Sequence, residues 1–257
     1  MTIFVFDIET IPDVAAGRRL HQLDDLSDKE VADVMFHKRR QETGNEFLRL
    51  HLQRVVAISL VMWSPDKFQV WTLGDVDASE QEIIQRFYDG LDRYTPTLVS
   101  WNGGGFDLPV LHYRSLVHGI QAPRYWESGD DDKSFKWNNY LSRYHSRHTD
   151  LMDVLAGYQP RANAPLDEVA TILGFPGKMG MSGAKVWDSY MAGDIGEIRD
   201  YCETDVLNTY LVFLRFELIR GHLSSDAYQQ RCDQVRNHLR ESGKAHLIEF
   251  EKAWLAS

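Results

Sequence analysis

Residues 4–13, FVFDIETIPD, hold the tightest constraint in the chain: two carboxylates, Asp7 and Glu9, inside an apolar run. A strand over residues 2 to 9 sends alternate side chains to opposite faces. Phe4, Phe6 and Ile8 then share one face, and Val5, Asp7 and Glu9 the other. Two carboxylates on one buried face repel each other, and each is costly to bury without a partner. Whatever fold forms must bring positive charge to this point, as basic side chains or as a divalent metal.

Further strands are expected at about residues 54 to 63, 67 to 73 and 97 to 101, from apolar alternation and β-branched content. Ser27 with Glu30, and Ser79 with Glu82, have the spacing of capping boxes that open helices. The helix after Ser79 aligns Ile83, Ile84, Phe87, Tyr88 and Leu91 on one side. Another helix is expected after GGGFDLP, one within APLDEVATILGF, and a long one from about Ile195 to Arg220. From Ser224 onward the chain reads as one or two polar, exposed helices. The order is that of an α/β domain, a mixed central sheet flanked by helices. Residues 13 to 52 (polar, helical) and 121 to 148 (irregular, charged) read as insertions.

Composition narrows the classes. With 43% hydrophobic and 26% charged residues, 257 residues suffice for a sizeable core. No apolar run reaches the ~20 residues that cross a bilayer, and the N-terminus lacks the pattern of a secretory signal. Cys202 and Cys232 show no metal-ligand spacing, which favours a reduced, cytoplasmic setting and argues against cysteine chemistry. A net charge of -10 opposes broad electrostatic coating of duplex DNA but is compatible with an enzyme holding one nucleic-acid end.

Two more acidic positions stand out. Asp107 follows a glycine triplet in LVSWNGGGFDLPVL, where a plain N-cap reading is available because Pro109 suits a first helical turn. Tyr201 and Asp205 in YCETD are neighbours on one helical face. Taken singly, Asp205 reads as a solvated aspartate and Tyr201 as a core aromatic.

FDIET, NGGGFD and YCETD resemble, in order and spacing, the three motifs of the DEDD superfamily of 3'-to-5' exonucleases. The tyrosine four before the last aspartate resembles its tyrosine subgroup, and the likeness points to a family related to the proofreading domain of family B DNA polymerases. It spans most of residues 1 to 220 and implies a ribonuclease H-like fold, with residues 221 to 257 as a helical extension of the same domain. By that resemblance Asp7, Glu9, Asp107 and Asp205 hold two divalent ions, Mg²⁺ or Mn²⁺, and Tyr201 positions or deprotonates the attacking water. Asp7 is expected to bridge both ions and Glu9 to share one with Asp205. Asp107 is expected to act through a water or hold the second ion weakly from a less rigid loop.

The implied activity is hydrolysis at the 3' end of single-stranded nucleic acid, DNA favoured over RNA, releasing nucleoside monophosphates. Substrate contacts are expected from the backbone at Thr10 and Ile11, from stacking by Trp101 and Phe106, and from Asn102 and Lys178. Asn102 reads equally as a brace for the glycine loop, and both aromatics as core. The segment 132 to 148 interleaves Lys133, Lys136, Arg143 and Arg147 with Phe135, Trp137, Tyr140 and Tyr144, as a single-strand groove or as an ordinary surface loop. HKRRQ at 37 to 41 is a second basic cluster, read as a phosphate contact or a solvated face. In the superfamily's histidine subgroup the histidine stands where this chain has Asp200, so His148 is read as structural and Asp150 as the cap of a helix from Leu151. The competing readings are a non-catalytic nucleic-acid-binding module, an exoribonuclease, and a phosphotransferase with an aspartate nucleophile. The last is disfavoured because Glu9 replaces the second aspartate of a D-x-D motif.

Overall fold

The computed structural model describes residues 2–256, with side chains to residue 254. Its strands are β1 (Ile3–Pro12), β2 (Gln53–Ser64), β3 (Lys67–Thr72), β4 (Thr97–Ser100) and β5 (His148–Asp150). The helices are α1 (Val14–His21), α2 (Asp28–Thr43), α3 (Glu80–Tyr94), α4 (Asp107–His118), α5 (Pro123–Trp126), α6 (Leu151–Leu155), α7 (Leu166–Ile172), α8 (Val186–Ala192), α9 (Ile195–Ile219), α10 (Ser225–Glu241) and α11 (Ala245–Ala256).

The five strands form one mixed sheet in the order β3-β2-β1-β4-β5. β1 runs antiparallel to β2 from Ile3↔Trp63 to Glu9↔Ala57, where a bulge shifts the register to Thr10↔Val55. On its other side β1 pairs parallel to β4, from Ile3↔Thr97 to Val5↔Val99. That short pairing leaves the second half of β1 without a strand on the β4 side.

Alternation along β1 divides the core. Phe4, Phe6 and Ile8 pack with Ile83, Ile84, Phe87, Tyr88 and Leu91 of α3 and with Leu108, Val110 and Leu111 of α4. Ile3 and Val5 pack on the opposite side with Val206, Leu207, Tyr210, Leu211 and Leu214 of α9. This is a ribonuclease H-like arrangement of helices on both faces of a mixed sheet. The capping box at Ser27 is complete, whereas at Ser79 only the Ser79 hydroxyl accepts from Glu82 N–H.

Two expectations are corrected, and the 132 to 148 segment follows its surface-loop reading in burying two of its aromatics. The C-terminal helices are not simply exposed: Cys232, Val235, Leu239, Leu247, Phe250 and Trp254 are buried in the same core as α9. Their polar average hides one apolar face, since residues 232, 235 and 239 recur at helical spacing. The strand β5 falls where only a helix cap was expected, being too short to show alternation. Phe135 and Tyr140 of the 132 to 148 segment are core residues, and the Tyr140 hydroxyl donates to the Pro96 carbonyl at 2.6 Å. The segment thus sits against the start of β4, at the other end of that strand from the glycine loop. Trp137 and Tyr144 alone among its aromatics are largely exposed.

Candidate active site

The glycine loop delivers Asp107 to β1. Asp150 accepts from the N–H groups of Asn102 at 2.9 Å and Gly104 at 2.8 Å, holding the loop down on β5. A side chain at Gly104 would press on that carboxylate, with the added Cβ 3.2 Å from Asp150 Oδ2. Asn102 adopts φ 64°, a left-handed conformation that asparagine tolerates, and its carbonyl accepts from Gly105 and Phe106 N–H. Asn102 therefore does brace the loop. Asp150 also caps α6, as expected, by accepting from Asp153 N–H.

Asp107 is not the N-cap. Phe106 holds that position without a side-chain bond, and Asp107 opens the first turn of α4. Its Oδ1 instead accepts the Ile8 N–H at 3.1 Å, satisfying β1 where β4 no longer reaches. At 3% exposure, Asp107 is a buried carboxylate anchored to β1 through this bond. Helix α9 crosses the same face of β1 and presents Tyr201 and Asp205, whose side chains influence each other's ionisation.

The four carboxylates act on one another. Asp7 is pushed well above the carboxylate range by burial, then by Asp107, Glu9 and Asp205; the Cys202 thiol opposes this. Glu9 is pushed up by burial, then by Asp205 and Asp107, with Lys178 opposing. Burial lifts Asp107 to about 7, although its own backbone and the Ile8 N–H pull it down. Burial lifts Asp205 to about 6 against the Tyr201 hydroxyl and Lys178. Tyr201 is raised far beyond the ordinary phenol range by burial, then by Asp205 and Glu9. It stays a neutral hydroxyl, suited to orienting a water and unsuited to deprotonating one.

Asp7, Glu9 and Cys202 each offer one ligand atom within 4.8 Å of the others, a grouping able to hold a metal ion. Cys202, a neighbour of Tyr201 in sequence, is the site residue that sequence reasoning passed over. Its signal is its place beside Tyr201; the spacing between the two cysteines does not reveal it, because Asp7 and Glu9 lie on another element. Lys178 faces the cluster from the turn after α7. Asn208, one turn beyond Asp205, holds that turn by accepting from Gly177 N–H and donating to its carbonyl.

The remaining expected contacts spread outward. Thr10 donates through Oγ1 to Gln53, and the Ile11 side chain is buried with Ala57, Val186, Ile198 and Cys202. Trp101 is half-buried against the α9 side of the core. Phe106 packs on the α3–α4 side and meets Phe47 of the insertion at 5.6 Å between ring centres. The HKRRQ cluster is engaged internally: Arg39 bonds the Phe47 carbonyl and Glu42, and Arg40 bonds Glu46. His148 is buried and bonded to Ser100 at 2.8 Å, a structural histidine.

The mixed sheet with helices on both faces, and the carboxylates gathered on β1, place the protein in the ribonuclease H-like fold class. The chain belongs to the family described as "Predicted 3'-5' exonuclease related to the exonuclease domain of PolB", whose model matches residues 45–254. Among solved structures it is similar to the family B DNA polymerase from the hyperthermophilic archaeon Pyrobaculum calidifontis, with 16% identity and a TM-score of 0.49. That similarity covers 100% of this chain and 27% of the polymerase chain. A comparison with curated proteins finds no match. Among the described residues, no helix is long and apolar enough to cross a membrane.

Proposed function

We propose that the chain is a metal-dependent 3'-to-5' exonuclease acting on single-stranded nucleic acid, DNA in preference to RNA, and releasing nucleoside monophosphates. The observation that carries this reading is the unbalanced charge of the cluster: among the described residues, four mutually repelling carboxylates face only Lys178 as a cation. An all-oxygen set of this kind suits Mg²⁺ or Mn²⁺. Asp7, Glu9, Asp107 and Asp205 would hold two such ions. When bound, a metal pair supplies positive charge to the attacking and leaving oxygens of phosphodiester hydrolysis.

The chain's own residues do the rest. Asp107 leads the charges felt by Asp7, and Asp205 leads those felt by Glu9. This supports Asp7–Asp107 and Glu9–Asp205 as the two halves of the ligand set, with Asp7 shared. Tyr201 orients the attacking water through its hydroxyl while Asp205 fixes that hydroxyl. Lys178 is placed to meet a phosphate once the carboxylates are neutralised. Phe106 and Trp101 would offer stacking surfaces, with Asn102 holding the glycine loop beside them, and the backbone at Thr10 and Ile11 would receive the terminal nucleotide. The shared core of α9, α10 and α11 supports reading residues 221–257 as part of the same domain.

The test is a 5'-labelled single strand, DNA and RNA in parallel, with Mg²⁺, Mn²⁺ or chelator. The expected result is a ladder shortening from the 3' side, absent with chelator and reduced on the order of 10³-fold by Asp7→Ala. Tyr201→Phe should slow turnover by at least ~10²-fold while keeping metal binding intact. Wild-type turnover in Asp7→Ala would refute the assignment.

A further inference from the structure

The reading above uses oxygen donors, yet the site contains one donor of a different kind. Cys202 is fully buried on α9 with its sulfur turned to β1. Its Sγ lies 3.5 Å from the Asp7 carbonyl oxygen and 3.6 Å from Asp7 Oδ2. Ligand atoms of Asp7, Glu9 and Cys202 all fall within 4.8 Å of one another. Glu9 is 8% exposed, and among the described residues no N–H or O–H donates to its carboxylate and no cation pairs with it at contact distance. A buried carboxylate without a donor, aimed at the same point as the thiol, marks a place where a cation belongs.

The spacing favours a particular class of cation. In a tetrahedral zinc site with bonds of roughly 2.3 Å to sulfur and 2.0–2.2 Å to oxygen, sulfur and oxygen stand about 3.6 Å apart. The Cys202 thiol donates to Asp7 Oδ2 across 3.6 Å, so an ion of that class fits between them with neither side chain moved. Mg²⁺ has little affinity for sulfur, whereas thiolate ligation selects softer ions.

We propose that Asp7, Glu9 and Cys202 form a site for a thiophilic divalent cation of the zinc class, which competes with the Mg²⁺ or Mn²⁺ that supports hydrolysis. The inference rests on reading Asp7 and Glu9 as metal ligands. Occupation breaks the Cys202 S–H bond, forms a metal–sulfur bond and releases one proton to solvent, with no change of oxidation state. Cys232, the other free cysteine, is buried in the α9–α10 core and provides an internal control.

The experiment titrates the full-length, metal-free protein with Cd²⁺, following thiolate-to-metal ultraviolet absorption and heat of binding together. Wild type and Cys232→Ser should develop the absorption with one equivalent of Cd²⁺. Cys202→Ser and Cys202→Ala should lose it and bind Cd²⁺ at least ~10-fold more weakly, with Mn²⁺ affinity changed by no more than about twofold. Absence of the absorption in wild type overturns the proposal without recourse to any variant, as does equal Cd²⁺ affinity in Cys202→Ser. Mn²⁺ titration of Asp7→Asn separates the two levels. If Asp7→Asn loses Mn²⁺ while Cys202 has no effect on Cd²⁺, only the thiol proposal falls; if Mn²⁺ binding ignores Asp7, the carboxylate reading falls with it.

Discussion

Asp13 and Glu80 are as deeply buried as Glu9 and Asp107, yet the protein treats the two groups differently. The guanidinium of Arg114 enters between Asp13 and Glu80. It donates to Glu80 from Nε at 2.7 Å and Nη2 at 2.6 Å, and to Asp13 from Nη1. His118 and the Val55 N–H complete the coordination of Glu80, both at 2.7 Å. Burial works against the Arg114 charge, but Glu80 and Asp13 outweigh it and its pKa rises. This cluster ties the start of the 13–52 insertion to α3 and α4, and every charge in it has a partner on the chain. Among the described residues the cluster on β1 has no arginine, and Lys178 is the one cation that opposes its repulsion. Structural carboxylates are neutralised from within; those at β1 are not, and the proposed metal binding rests on that difference.

That contrast can be broken in measurable ways. Arg114→Met should cost about 3–5 kcal/mol in denaturant unfolding, because it strands two buried carboxylates. Asp7→Asn, measured in chelator, should cost nothing or stabilise, because it removes one of several repelling charges. Comparable losses in both variants would show that the clusters are balanced alike. A smaller effect is expected from the metal itself. Mg²⁺ or Mn²⁺ at ~100 times its dissociation constant should raise the unfolding free energy by about 2.7 kcal/mol. The increment should vanish in Asp7→Asn and survive in Arg114→Met.

The smallest predicted effect comes from a third charged group, which clasps the C-terminal helices to α9. Glu203 accepts from Lys244 at 2.8 Å and meets His246 at 2.8 Å, while His246 also meets Asp200 at 3.0 Å. Burial works against the His246 charge, but Asp200 and Glu203 outweigh it and lift its pKa to about 9. A histidine raised in the folded state stabilises fully below its unfolded pKa near ~6.5 and loses that contribution as pH rises through about 9. Discounted for solvent screening, the loss should be on the order of 1 kcal/mol. His246→Gln should flatten stability across that window.

Much of this was legible in the chain because local rules govern it. Alternation in β1 placed Asp7 and Glu9 on one face, and helical spacing placed Tyr201 beside Asp205. Ser27 with Glu30 announced α2, and the apolar face of α3 emerged as read. Less was legible where a residue's partner lies far along the sequence. Asp107 looked like a cap because its true partner, the Ile8 N–H, is 99 residues away. The basic-aromatic segment read either as a binding groove or as a surface loop, and the order of strands, which carried it to the opposite end of β4 and buried Phe135 and Tyr140, is not visible locally. The C-terminal helices looked exposed because their few apolar residues were diluted by charge.

The sequence by itself determined that two carboxylates would share a buried strand face and that an aspartate and a tyrosine would share a helix face, since backbone periodicity alone dictates both. Only the tertiary structure decided that α9 and the first turn of α4 meet β1 at one point, that Asp107 is anchored there by the Ile8 N–H, and that Cys202 turns its sulfur to Asp7. Those outcomes depend on strand order and helix packing, which arise from contacts between residues far apart along the chain that no local pattern encodes.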